Sequence, residues 1–301
     1  MACRFEVLVP ATRPDQVEAA RAALGHAERI EAAWSVFSPA SMLSWVNRES
    51  AAGPVEADAE LFALLERAVA LTAETGGAFD ITATPLSRCW RWLDRAGAVP
   101  SAEAIAEARA SVGTHLVMLT PSGDGSAAGG TVRFATPGVE LNLGAIGKGY
   151  AVGRIAASVG AAGLACALVS AGDSSVEAVG SPRGGWEIAL RGQGARLWLT
   201  SGAMATSGAA EQGITVGGVR LGHVLDPRTG WPATGVSRVT VACRDAADAD
   251  ALSTALLVGG PALAERLLAD RDDLLVVFTL DGSARPRIMG RAAGALVEES
   301  R

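Results

Sequence analysis

The chain has 301 residues, 49% of them apolar and 19% charged, with a formal net charge of -6. That composition belongs to a folded globular protein and not to a disordered one. The acidic balance supplies no Lys/Arg stripe to track a phosphate backbone, so no nucleic-acid partner is expected. Four cysteines (Cys3, Cys89, Cys166 and Cys243) stand far apart with no CxxC pair, which argues against a zinc site and for reduced thiols.

Phe5, Val7 and Val9 alternate with their neighbours and predict a first strand. A helix follows over about residues 16–34, with Val17, Ala20, Leu24, Ala27 and Ile30 as its buried face. Asp58 is the expected N-cap of a second helix, whose apolar face is Leu61, Leu64, Leu65, Ala68 and Leu71 and which Gly76-Gly77 ends. A third, Ala-rich helix follows Ser101. Two β-like runs, 116–119 and 132–134, flank a Gly/Ser/Ala-rich loop over 121–130. From Gly138 the expected order is strand, glycine turn, helix, several strands and a helix after Asp248. Mainly antiparallel-looking strands mixed with packed helices predict an α+β fold. The opening residues carry Arg4 and Glu6 and no apolar stretch before a cleavage site. The most apolar segment, 151–170, contains Arg154 and is broken by Gly160 and Gly163, as in a buried helix followed by a strand. No membrane span is expected, and the chain reads as cytoplasmic.

Five segments place glycine and polar residues where a packed core would not want them. Residues 141–150 lead a strand through a glycine turn into a helix expected near Tyr150, with Lys148 beside its start. A helix N-terminus with a nearby cation suits an anion, although a mere tight turn explains the glycines equally well. The spacing is not that of a Walker A loop. Asp173, after an apolar strand, can bind a ligand or fix a turn, and the turn is the simpler reading. Residues 205–208, Ala-Thr-Ser-Gly, read as a polar turn. In 222–230 the Asp-Pro-Arg-Thr-Gly run signals a turn, with His223 just ahead of it as a candidate base or ligand. On the helix over 249–256, Asp250 and Thr254 lie four apart and present two oxygens on one face. Such oxygens suit a hard cation, and an acidic first helical turn is the alternative.

Taken in order, these segments resemble the ApbE family of FAD:protein FMN transferases along almost the whole chain. The family pattern Asp-Leu-Gly-Gly-Ile-Ala-Lys-Gly-Tyr is similar to residues 142–150. Its Gly-Gly-Asp, Ala-Thr-Ser-Gly, His-Ile-Ile-Asp-Pro-Arg-Thr-Gly and Ala-Asp-Ala-Leu-Ala-Thr-Ala-Leu patterns match the other four segments. Thr-Gly-Gly-Ala-Phe-Asp at 75–80 matches a further signature. Phe37 to Ser41, with Leu43 and Asn47, resembles the family's Ser-x-Leu-x-x-x-Asn region.

The resemblance implies a single domain over 1–301 of ApbE-like (T-fold-like) architecture, divisible into two subdomains with the FAD site between them. It implies FAD contacts at Met1, Phe37, Ala78, Phe79, Asp80, Asn142, Lys148 and Leu225, and a Mg²⁺ site of Asp250, Thr254 and the Ala145 carbonyl. His223 falls at the family's histidine, and it and Lys148 are the implied catalytic residues. The implied reaction moves FMN from FAD to a Thr or Ser hydroxyl of an acceptor flavoprotein and releases AMP. FAD pyrophosphatase activity and FAD binding without catalysis are the alternatives. Asn142 stands where the family has Asp, and Ala171 replaces the first glycine of Gly-Gly-Asp. The chain starts almost at the family's first core strand, without the lipoprotein signal of many relatives.

Overall fold

The computed structural model describes residues 3–9, 14–94, 96–123, 128–209, 213–283 and 285–299. The elements in chain order are β1 (Phe5–Leu8), α1 (Pro14–Trp34), α2 (Met42–Glu49), β2 (Val55–Asp58), α3 (Ala59–Glu74), α4 (Thr84–Cys89), α5 (Ala102–Arg109), β3 (Val117–Pro121) and β4 (Ala128–Phe134). They continue with α6 (Gly147–Ala161), β5 (Ala167–Ala171), β6 (Ser175–Val179), β7 (Trp186–Leu190), β8 (Ala195–Leu199), β9 (Gly202–Gly208), β10 (Gly213–Val216), β11 (Val219–Gly222), β12 (Val236–Cys243), α7 (Ala246–Asp270), β13 (Leu275–Leu280), β14 (Arg287–Gly290) and β15 (Ala295–Glu299). The fold is α+β, as expected. It divides into two compact units: residues 1–31, 144–209 and 234–301, and residues 32–143 and 210–233.

The first unit is built on a seven-stranded antiparallel sheet in the order β1-β5-β6-β9-β12-β13-β14. Successive side chains on a strand point to opposite faces, and here both faces are covered. Ala167, Val169 and Ala171 of β5 and Ala203 of β9 pack with α1 and α6 through Ala23, Ala27, Val152 and Ile155. Residues of the other parity, such as Val176, Ala178 and Met204, meet Trp186, Leu190, Leu197 and Leu199 of the three-stranded sheet β15-β8-β7. Along α1 the buried residues are Ala20, Ala23, Ala27, Ile30 and Trp34, whereas Val17 is exposed. The seam therefore runs at alternating spacings of three and four that exclude Val17 from the expected face.

Helix α7 is long and apolar enough to pass the length-and-composition test for a membrane span. Its apolar side chains, including Leu252, Ala255, Leu256 and Leu257, are instead buried in the protein, packed against α6, β9 and β12. Its N-cap is Asp245, whose side chain accepts from Asp248 N, so the helix starts earlier than expected. Asp248 lies inside the first turn and pairs with Arg271. Gly260 (φ 62°) precedes Pro261 and interrupts the helix. That conformation costs glycine little and other residues much.

In the second unit α3 lies on the sheet β2-β4-β3, and the hairpin β10-β11 stands apart as its own two-stranded sheet. The expected cap Asp58 accepts from Leu61 N at 2.8 Å. Helices α2 and α4 were not evident in the sequence, because each is under three turns long and shows too little periodicity. Ser41 caps α2 through a bond from Ser44 N at 3.0 Å, and Ser101 caps α5.

One acid in the first unit carries a measurable consequence. Glu177 of β6 points to the helix face beneath Gly153 of α6, and burial and the nearby Asp245 push its carboxyl up to about 7 from 4.5. A carboxyl whose folded pKa is raised favours the fold below its unfolded pKa, and that contribution disappears as pH rises through the folded value. Glu177→Gln should therefore gain stability relative to the parent chain between about pH 5 and pH 8, by on the order of 2 kcal/mol. Urea unfolding at the two pH values checks this, and equal differences at both would refute it.

Candidate functional site

In the first unit the site grows from the approach of two helices. Residues 144–146 form a turn, and α6 begins at Gly147, three residues before the expected start at Tyr150. A Cβ on Gly149 would overlap the carbonyl of Ala246 and sit 2.8 Å from Asp250 Cβ. Glycine at 149 therefore lets the N-terminal turns of α6 and α7 touch. A Cβ on Gly153, one turn on, would sit 3.3 Å from Glu177 Oε2, a close approach without overlap.

Into that contact α7 places Asp250, 3% exposed. Its Oδ2 accepts from the Gly149 amide at 3.0 Å and its Oδ1 from Lys148 Nζ at 3.3 Å. The anion that the helix N-terminus attracts is thus a carboxylate of the same chain. Thr254 lies one turn further along α7, with its hydroxyl 3.4 Å from the carbonyl of Asp250. Ala145 lies in the turn that opens α6, and the Gly149 amide serves Asp250 instead of bonding back to it. Carboxylate, hydroxyl and carbonyl oxygens are donors that suit a hard divalent cation, and the buried carboxylate already has a cation, Lys148, at its side. Among the described residues no three His, Cys, Asp or Glu side chains converge, so a cation here would complete its shell with water or phosphate oxygens. Cys3 feels both Lys148 and Asp250, while burial pushes its thiol up; all four cysteines are free.

Two other segments differ from expectation or confirm it here. Residues 205–208 are not a turn but part of β9, a central strand flanked by β6 and β12. A polar Thr-Ser pair is tolerated there because each hydroxyl has a partner: Thr206 with Thr240 at 2.7 Å, and Ser207 with Ser253 at 2.7 Å. Asp173 sits at the β5–β6 turn and pairs with Arg191 at 2.9 Å on the surface, which bears out the turn reading. Ala171 is fully buried in β5, in a place that needs no glycine.

The second unit holds Phe37, Ala78, Phe79, Asp80, Asn142, His223 and Leu225; Met1 lies outside the described residues. Gly76 and Gly77 close α3 with positive φ. The Thr75 hydroxyl then donates to Leu71 O and accepts from Phe79 N at 3.3 Å, tying the next segment to the helix end. Ala78 and Phe79 are 1% exposed, so both residues belong to the core. Asp80 accepts from Thr82 N at 2.8 Å, Thr82 Oγ1 at 2.6 Å and Thr114 N at 3.3 Å. Burial pushes its carboxyl up, against those three bonds. It lines a cavity of about 280 Å³ with Thr72, Arg109, His115 and Arg228. Phe37, by contrast, is 74% exposed.

Residues 139–143 are extended but form no strand. The amide side chain of Asn47 pairs both ways with Leu141, its Nδ2 donating to the carbonyl at 2.9 Å and its Oδ1 accepting from the amide at 2.8 Å. Asn142 N donates to Ile81 O at 2.8 Å, so the chain next to Asn142 is held by a side chain in place of a neighbouring strand. Asn47 is a positioning residue that had no role in the sequence reading. Its only signal was the family's spaced Asn.

His223 directly follows β11 and is half-buried. The Asp-Pro-Arg-Thr-Gly run is a turn, as expected. Asp226 clamps Arg228 through Nε at 2.8 Å and Nη2 at 2.9 Å, and Gly230 N returns to Asp226 O at 2.7 Å. Leu225 is buried with Leu86, Trp90, Trp92 and Ile105. Trp90 Nε1 donates to Gly230 O at 2.8 Å and meets the exposed Trp231 edge-on.

Comparison with known proteins shows the family of the chain. A model of the ApbE family matches residues 1–278. A FAD:protein FMN transferase of Treponema pallidum (strain Nichols) is 35% identical over 238 residues, which are 73% of this chain and 65% of that protein. One from Rhodobacter capsulatus is 33% identical over 288 residues, 92% of this chain and 54% of its own. The chain thus spans less than two thirds of these curated relatives. The crystal structure of the ApbE protein from Thermotoga maritima superposes with a TM-score of 0.81 at 32% identity, over 97% of this chain and 93% of that one.

The helix contact gives a direct test. Gly149→Ala should force α6 and α7 apart, lowering stability by about 3 kcal/mol, the upper range for an overpacked core. Chemical unfolding measures it, and a loss below about 0.5 kcal/mol would show that the contact is not tight.

Proposed function

The chain belongs to the ApbE family, and from that premise we propose that it is a FAD:protein FMN transferase. It would take FAD and, with Mg²⁺, pass FMN to a Thr or Ser hydroxyl of an acceptor flavoprotein, releasing AMP. The observation that carries this reading is the buried Asp250 carboxylate at the start of α6, with Lys148 on one oxygen and the Thr254 hydroxyl one turn away.

Asp250, Thr254 and the Ala145 carbonyl would hold the ion, which would supply neutralisation of the diphosphate and of the departing AMP. With a single carboxylate in that set, the rest of its shell falls to water and to the substrate's own phosphates. Lys148 adds a positive contact for the same diphosphate. Phe37 offers an exposed ring to a planar heterocycle. Ala78, Phe79 and Leu225 would also contact FAD, through the small surface that these buried residues expose. Asp80, Asn142 and Met1 complete the proposed FAD contacts. His223 would take the proton of the acceptor hydroxyl as its oxygen attacks the phosphorus on the FMN side and the bond to AMP breaks. Positioning and charge account for most of the catalysis in such a transfer.

Asp250→Asn keeps an acceptor for the Gly149 amide but loses the charge, and Thr254→Ala loses one oxygen. Either should lower transfer by about 100-fold or more. The assay mixes FAD, Mg²⁺ and a candidate acceptor and follows flavin fluorescence on the acceptor band together with free AMP. Full activity in both variants would sink the metal assignment. In the parent chain, AMP without a labelled acceptor would mean FAD hydrolysis, and neither product would mean a FAD-binding protein without catalysis.

His223→Ala should slow transfer by roughly 100-fold, a typical loss for a general base, while FAD affinity stays unchanged. Stopped-flow rates and equilibrium FAD titration separate the two quantities. An unchanged rate would remove His223 from the chemistry.

A further inference from the structure

The Ala-Thr-Ser-Gly segment has no part in the function proposed so far, yet its serine reaches the metal-facing helix. Ser207 lies on β9 with the same parity as Ala203 and Ala205, on the face that α7 covers. Its Oγ is 2.7 Å from Ser253 Oγ and 3.4 Å from Thr254 Oγ1. Ser253 Oγ in turn donates to the carbonyl of Asp250 at 2.9 Å.

These distances limit where the protons can go. A hydroxyl has one proton and two lone pairs. The Ser253 proton is spent on the Asp250 carbonyl, which can only accept. The short Ser207–Ser253 bond must then be donated by Ser207. That leaves Ser207 Oγ with a lone pair facing Thr254 Oγ1, able to accept its proton. The other acceptor at Thr254 is the Asp250 carbonyl, equally 3.4 Å away, whose oxygen also receives the Ser253 proton.

We propose that Ser207 is a positioning residue for the cation: by accepting the Thr254 proton it turns the lone pairs of Thr254 outward, toward the ion. The inference rests on the metal site proposed above. A hydroxyl bound to a cation becomes a stronger donor, so the acceptor behind it matters more once the ion is present. Partners of this kind typically govern metal affinity by 10–100-fold. Ser207 itself is held rigidly. Its strand pairs with β6 and β12, and the adjacent Thr206 is bonded to Thr240, which donates to the buried Gln193.

The test titrates Mg²⁺ calorimetrically into the full chain saturated with FAD, without acceptor, for the parent, Ser207→Ala and Thr254→Ala. Ser207→Ala should bind Mg²⁺ about tenfold more weakly, and Thr254→Ala should lose binding. In the transfer assay Ser207→Ala should need about tenfold more Mg²⁺ for half-maximal rate, yet reach a kcat within about twofold of the parent at saturating Mg²⁺. A merely structural serine would not produce that split. Should Ser207→Ala fail to fold, Ser207→Cys, of similar shape and a poor acceptor, is read by the same criteria. Parent-like Mg²⁺ affinity in the Ser207 variant with loss in Thr254→Ala would overturn this inference and leave the proposed function standing. Parent-like affinity in Thr254→Ala would overturn the metal site and this inference together.

Discussion

The first unit's chemistry depends on one contact: the carboxylate of Asp250, carried by α7, bonded to an amide in the first turn of α6. An anion in that position gains from the helix dipole by roughly 0.3–1 kcal/mol, and by up to about 2 kcal/mol when partly buried. Burying a carboxylate otherwise costs several kcal/mol, and the Gly149 amide and the Lys148 ammonium offset that cost. The contact exists only because residue 149 has no side chain. A single glycine thus sets the distance between two helices, and that distance decides whether a charge from one can cap the other.

The same carboxylate can serve a structural and a chemical role without contradiction. Each oxygen has lone pairs left after one hydrogen bond. The Gly149 amide fixes Oδ2, while the partner of Oδ1 is the flexible end of a lysine side chain. An ammonium on a four-carbon stem is the component most easily rearranged when a second cation or a diphosphate arrives. The rigid half of the arrangement is main chain and strand; the adjustable half is one side chain. Preorganisation of this kind is what electrostatic catalysis requires.

Much of this was legible from the residues, and what was not has physical reasons. The caps Asp58 and Ser101, the glycine stop of α3 and the Asp-Pro-Arg-Thr-Gly turn are local events encoded by the residues that form them, and each was readable. The Asp250–Thr254 spacing was equally plain, because one helical face is a matter of counting. The strand character of residues 205–208 was hidden. Thr-Ser flanked by small residues looks like a turn until hydroxyl partners from Thr240 and Ser253, more than 30 residues away in sequence, are known. The start of α7 was misplaced because three aspartates, 245, 248 and 250, compete for the cap, and only the fold assigns cap, ion pair and site in that order. Asn47 was opaque for a similar reason: a side chain that imitates a strand leaves no periodicity to read.

Asn142 is the chain's most conspicuous departure from the family pattern, and the local structure is built without a charge there. Its main chain is held through Ile81 and through the Asn47 clamp on Leu141, neither of which uses the side chain at 142. The charge lost with the family's Asp is therefore not needed for the local path. In the proposed reaction the first unit's own charges would balance. A diphosphate and the Asp250 carboxylate together would carry three negative charges, which Mg²⁺ and Lys148 would neutralise. The neutral amide keeps an oxygen for hydrogen bonding and leaves that balance intact.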